Sequence, residues 1–81
     1  MKKIRTEKME KAFRMGIAAF ENGLKCVPAA DSVLMEMTTI KGVPFFETVR
    51  NKKYDYERKE NLAAVKAWAQ GWTFANIGAA V

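Results

Sequence analysis

Eighty-one residues predict one domain with a small core, because so short a chain buries only a little over half of the surface its unfolded form exposes. The single cysteine, Cys26, excludes an internal disulfide, and the absence of histidine removes the usual zinc cages and histidine-dependent triads, so no enzyme is expected. The net charge of +5 is concentrated: residues 1–16 hold six Lys or Arg against two Glu, residues 50–59 hold five against two acids, and the remainder sums to −2.

Two basic segments on a nearly neutral body point to a polyanionic partner. The opening stretch, MKKIRTEKMEKAF, is charged with no apolar run behind it, and no stretch reaches the roughly twenty apolar residues of a membrane span. The expectation is a soluble, unprocessed, cytoplasmic protein without a membrane partner.

The first element is an amphipathic helix from about Thr6 to Asn22. On the helical wheel Ala12, Gly16, Met9, Phe20, Phe13, Leu24 and Ile17 share one stripe, with Glu7, Lys11 and Arg14 opposite. Thr6 is the predicted N-cap, Glu7 and Glu10 suit the positive helix start, and Gly23 marks the stop. Gly16 costs up to about 1 kcal/mol relative to alanine in a helix interior, so its place on the apolar stripe predicts close approach by another helix.

Next, LKCVPAADSVLMEMTTIKG opens with a proline-marked connection and offers Asp31 or Ser32 as an N-cap before Val33, Leu34, Met35 and Met37, which predicts a short helix. The rival is a β-hairpin in which VLMEMTTI and VPFFETV flank a turn at Lys41 and Gly42. Pro44 and the poor alternation of both runs count against it. Residues 42–59, GVPFFETVRNKKYDYERK, are irregular: a buried-looking start in Phe45, Phe46 and Val49 precedes a polar, basic stretch, which predicts a loop.

The last helix is expected from about Glu57 to Ile77, with Gly78 as its stop. Its wheel gathers Gly71, Ala64, Ala75, Trp68, Trp72, Val65, Ala69 and Leu62 on one face and turns Lys66, Gln70 and Thr73 away. The two tryptophans read as inward-facing anchors, each worth roughly 2 to 3 kcal/mol when fully buried. Each indole N–H then needs a partner. The predicted fold is an all-α single domain, residues 1–81: two long helices pack face to face, Gly16 and Gly71 permit close contact, and a short helix or irregular insert covers one end.

The chain has no phosphate-binding or dinucleotide glycine loop, and the carboxylate pairs Glu7/Glu10 and Asp55/Glu57 stand in charged, surface-like contexts. No catalytic residue, metal ligand or cofactor is therefore assigned. Cys26 beside Lys25 is a candidate redox thiol, against the simpler reading of a small side chain tucked under the connection. Met9, Met15, Met35 and Met37 suit core filling better than an adaptable binding surface.

The segment RNKKYDYERK interleaves Arg50, Lys52, Lys53, Arg58 and Lys59 with Tyr54 and Tyr56. Cations contact phosphates and exposed tyrosines stack on unpaired bases, so these residues form the candidate RNA contact. The alternative is a solvated loop with one tyrosine pinned to the body. Lys2, Lys3, Arg5, Lys8, Lys11 and Arg14 would add phosphate contacts, which supply affinity and little sequence selectivity.

Taken together, AFRMGIAAFENGLKCVP followed by AWAQGWTFAN resembles the bacterial ribosome modulation factor family and its phage-encoded relatives. In that family a helix with glycine and alanine near its end leads to a Cys/Pro connection and a later WxxGW-type helix. The matching positions are Ala12, Gly16, Ala19, Gly23, Cys26 and Pro28, then Trp68, Gly71, Trp72 and Ala75. Where the family has Cys-Pro-Tyr, Val27 stands between Cys26 and Pro28 here and no tyrosine follows, and the two blocks lie further apart than in the short bacterial members.

The resemblance implies a small noncatalytic helical protein that binds the small ribosomal subunit through ribosomal RNA and promotes translationally inactive, paired ribosomes. Two other partners stay open. One is a host protein, bound and inhibited by a small phage or mobile-element protein through exposed aromatics such as Phe45, Phe46, Tyr54 or Phe74. The other is a second copy of the chain, burying Phe74 and Ile77.

Overall fold

Thr6 starts the first helix as its side chain predicts: in extended conformation, its Oγ1 accepts the N–H of Met9 at 3.2 Å. The computed structural model describes residues 6–80. These form helices α1 (Glu7–Glu21), α2 (Ser32–Met37), α3 (Phe45–Arg50) and α4 (Asp55–Ala80), with short 3-10 turns at Pro28–Ala30 and Lys52–Tyr54. No strand occurs among the described residues, so the fold is all-α.

The end of α1 follows from Gly23, whose φ of +78° lies in the left-handed region that glycine enters without steric cost. The N–H of Gly23 then bonds the Phe20 carbonyl and that of Leu24 the Ala19 carbonyl, each at 2.9 Å. This is a Schellman closure, and it satisfies carbonyls that the helix end would leave open.

Asp31 caps α2. Its Oδ1 accepts the N–H groups of Val33 at 3.0 Å and Leu34 at 3.1 Å, which commits the next residues to a helix. The hairpin alternative is thereby overturned: Val33 to Met37 are helical, and beyond Gly42 (φ +77°) Pro44 leads into α3 instead of a second strand. The loop expected over residues 42–59 is corrected as well, because it contains α3, the second 3-10 turn and the first residues of α4. Gly78 does not stop α4, which continues to Ala80.

α1 and α4 run in the same direction. Near the start of both, Lys8 Nζ donates to Asn61 Oδ1 at 2.8 Å; further along both, Phe20 meets Trp72 edge to face at 5.3 Å. A parallel pair needs a long return connection, and residues 22–54 provide it. At the crossing the contact is backbone against backbone. A Cβ on Gly16 would fall on the Trp68 carbonyl and 2.9 Å from the Trp72 nitrogen, while one on Gly71 would fall on the Phe13 carbonyl. Ala12, Ala19, Ala64 and Ala67, all buried, extend this small-residue seam on either side.

Leu34 from α2 and Trp68 from α4 are the largest side chains completely withdrawn from solvent. Trp68, 1% exposed, directs its Nε1–H to Asp31 Oδ2 at 2.9 Å. One carboxylate therefore caps α2 with one oxygen and holds the core indole with the other. Trp72 is half-buried and donates Nε1–H to the Leu24 carbonyl at 2.8 Å, tying the closure of α1 to α4. The four methionines Met9, Met15, Met35 and Met37 pack against this core, half-buried.

Three expectations about burial are corrected. Phe45, Phe46 and Val49 are exposed, and α3 buries Thr48 instead, whose Oγ1 donates to the Phe45 carbonyl at 2.6 Å. Leu62 is 56% exposed on the flank of α4, while Ala67 and Asn61 are buried. Cys26 is exposed, not tucked under the connection.

Asp31→Ala removes an N-cap and strands a buried indole donor, so it is expected to cost about 2 to 4 kcal/mol. Urea unfolding followed by circular dichroism checks this, and Asp31→Asn should recover part of the loss.

Candidate nucleic-acid interface

The basic residues singled out in the sequence meet different fates. Lys2, Lys3 and Arg5 lie outside the described residues. Lys8 is half-buried, bonded to Asn61 and 3.6 Å from Glu60 Oε1, so its ammonium ties the starts of α1 and α4 together. Lys11 and Arg14 stand exposed on the outer side of α1, where Arg14 Nε lies 3.7 Å from Glu10 Oε2. An exposed pair of that kind contributes little and yields readily to a phosphate.

The second basic segment occupies the end of α3, the turn after it and the start of α4. Asn51 organises it: its Oδ1 accepts the Lys53 N–H at 3.1 Å and so starts the 3-10 turn. Arg50 and Lys52 flank a shallow hollow of about 480 Å³ together with Glu47 and Asn51. Lys53 Nζ sits 5.2 Å from the centre of the Tyr54 ring, a cation–π contact that occupies both side chains. Tyr54 is half-buried, whereas Tyr56 is 73% exposed. Of the two tyrosines, only Tyr56 presents an open ring face.

Arg58 lies 3.5 Å from Asp55 one turn earlier on α4, another exposed pair. Lys59 and Arg58 edge a groove of about 580 Å³ between α2, α3 and α4, with Phe45, Leu62, Val43 and Ile40 among its apolar walls. Arg58 and Lys59 are the charged residues on its lining, and both are cationic. Hydrophobicity alone points Phe45 and Leu62 inward, whereas in the fold both are exposed on the walls of this groove.

The parallel pairing brings the basic segments together. The Lys8 contact with Glu60 and Asn61 sets the start of α1 against the first turns of α4, directly after Arg58 and Lys59. Lys11 and Glu57 border a common hollow with Lys41, a further exposed cation on the connection that sequence reading passed over. Lys41 is 3.8 Å from Glu36. One end of the molecule thus carries cations from three separated stretches of chain.

Among the described residues no cluster of three or more His, Cys, Asp or Glu is placed to hold a metal ion, and no helix is long and apolar enough to cross a membrane. What the site offers chemically is charge and exposed aromatic surface. Comparison with family models, with curated proteins and with solved structures finds no match to this chain.

Proposed function

We propose that this protein is a noncatalytic ribosomal-RNA-binding protein that modulates or inhibits translation in the cytoplasm, in the manner of the ribosome modulation factors it resembles. The observation that carries the reading is the convergence just described: α1 and α4 run parallel, so the first turns of α1 lie against the first turns of α4, where Lys11 shares a hollow with Lys41 and Glu57. A polyanion passing over this part of the molecule would meet cations from Lys11, Arg14, Arg50, Lys52, Arg58 and Lys59, all six exposed and none held by more than a surface pair. Backbone contacts of this type supply affinity with little sequence information.

A second reading has its own support. Residues 67–81 carry no charge, and Phe74 and Ile77 are exposed on that stretch of α4. Since like charges elsewhere on a chain of net charge +5 repel, this neutral end is where a second copy would pair with least opposition.

Purification of the tagged protein from cells that also make an untagged copy tests both readings. Ribosomal RNA and small-subunit proteins are expected to dominate the eluate. A single stoichiometric host protein in their place would support docking and inhibition of that protein, and the untagged copy alone would support self-pairing.

A further inference from the structure

We infer that the RNA this protein contacts is unpaired, held by stacking on an aromatic ledge beside the cationic groove; the inference rests on the RNA-binding reading above. Phe45 is 82% exposed, Phe46 60% and Tyr56 73%; the two phenylalanines open α3, which ends at Arg50, and Tyr56 lies in the first turn of α4, just before Arg58 and Lys59. Phe45 forms a wall of the groove whose charged lining is Arg58 and Lys59. An exposed ring, Phe45, thus stands with two cations on one surface.

Duplex RNA offers phosphates and 2′-hydroxyls but keeps its base faces stacked inside, so exposed phenyl rings gain nothing from it. Unpaired nucleotides present both a π-face and a phosphate, which matches rings beside cations. The charge balance of the lining disfavours a cationic occupant. The hydroxyls nearest the groove are already committed, because Thr38, Thr39 and Thr48 donate to the carbonyls of Leu34, Met35 and Phe45. Few donors remain for base edges, so binding should tolerate most sequences.

The test compares a single-stranded RNA of about twelve nucleotides, within the usual range of such sites, with a duplex of the same length, by fluorescence anisotropy on the full chain at low salt. Single strand is expected to bind at least tenfold more tightly than duplex. Phe45→Ala, Phe46→Ala and Tyr56→Ala are each expected to weaken single-strand binding by about five- to a hundredfold while duplex binding stays near wild type. These are exposed positions, and an unchanged thermal midpoint verifies that each variant is folded.

Equal or tighter binding of duplex, or wild-type affinity in all three folded variants, overturns the inference and leaves a purely electrostatic RNA contact standing. Absence of binding to either RNA and to ribosomal subunits overturns the RNA-binding reading with it. Loss of a co-purifying protein in the Phe45 and Phe46 variants, at unchanged RNA affinity, overturns the inference in favour of a protein partner.

Discussion

Gly16→Ala and Gly71→Ala are expected to separate the two long helices, although alanine is the better helix former by close to 1 kcal/mol. Each new Cβ would occupy the place of a carbonyl on the partner helix, Trp68 for Gly16 and Phe13 for Gly71. Backbone cannot rotate aside as a side chain can, so the helices must move apart and lose the alanine seam around the crossing. Overpacking typically costs 1 to 3 kcal/mol, occasionally more, and for a domain of this size each kcal/mol lowers the melting temperature by roughly 4 to 8 °C.

The loss should exceed the propensity gain, and a fall of roughly 5 to 20 °C is expected. Gly78→Ala provides the opposite sign in the same helix: it meets nothing within 4 Å and lies outside the left-handed region. That change should leave the melting temperature level or raise it slightly. Thermal unfolding of the three variants decides the matter, and a stabilised Gly16→Ala would show that the helices do not touch there.

Trp68→Ala is expected to be the most destabilising single truncation. A wholly buried indole is lost, and large-to-small changes of this kind cost about 3 to 5 kcal/mol, against a total near the lower end of 5 to 15 kcal/mol for a small domain. Asp31 also loses its partner, so the position of α2 weakens with the core. Trp68→Phe should cost less, since it keeps a ring and deletes the N–H to Asp31 Oδ2. Trp72→Ala should fall between them, because that ring is half-buried, packs on Phe20 and holds the Leu24 carbonyl. Circular dichroism in urea measures all three without relying on the fluorophore removed. A Trp68→Ala protein with wild-type stability would contradict the placement of this indole in the core.

Features set by local chemistry were legible before the structure. Thr6, Gly23 and Asp31 act through backbone groups within a few residues of themselves, so sequence alone places the ends of α1 and narrows the cap of α2 to Asp31 or Ser32. The glycine contact was legible for a related reason: a costly residue on an apolar stripe needs a compensating neighbour. The relative direction of α1 and α4 was not, since wheel periodicity is identical for parallel and antiparallel pairs. That direction is what joins the basic segments.

Hydrophobicity makes Phe45 and Phe46 look buried, while a protein-docking reading leaves them exposed; α3 is a single short helix with one side available for burial, and Thr48 takes it. Lys8 illustrates the converse. A lysine in a basic cluster reads as a phosphate contact, and only the three-dimensional proximity of Glu60 and Asn61 assigns it to the helix pair. The candidate site was therefore legible as a set of cations and tyrosines, while the groove that joins Phe45 to Arg58 and Lys59 required the fold.

The most direct test of RNA binding through the basic end is the affinity for isolated small ribosomal subunits as a function of salt. With six or so phosphate contacts to unpaired RNA, affinity is expected to fall roughly 10²- to 10³-fold between about 50 and 200 mM salt. Lys52→Gln combined with Arg58→Gln should weaken binding at low salt and flatten that dependence. Tight binding that ignores salt, or a double variant with the wild-type salt dependence, would contradict the account.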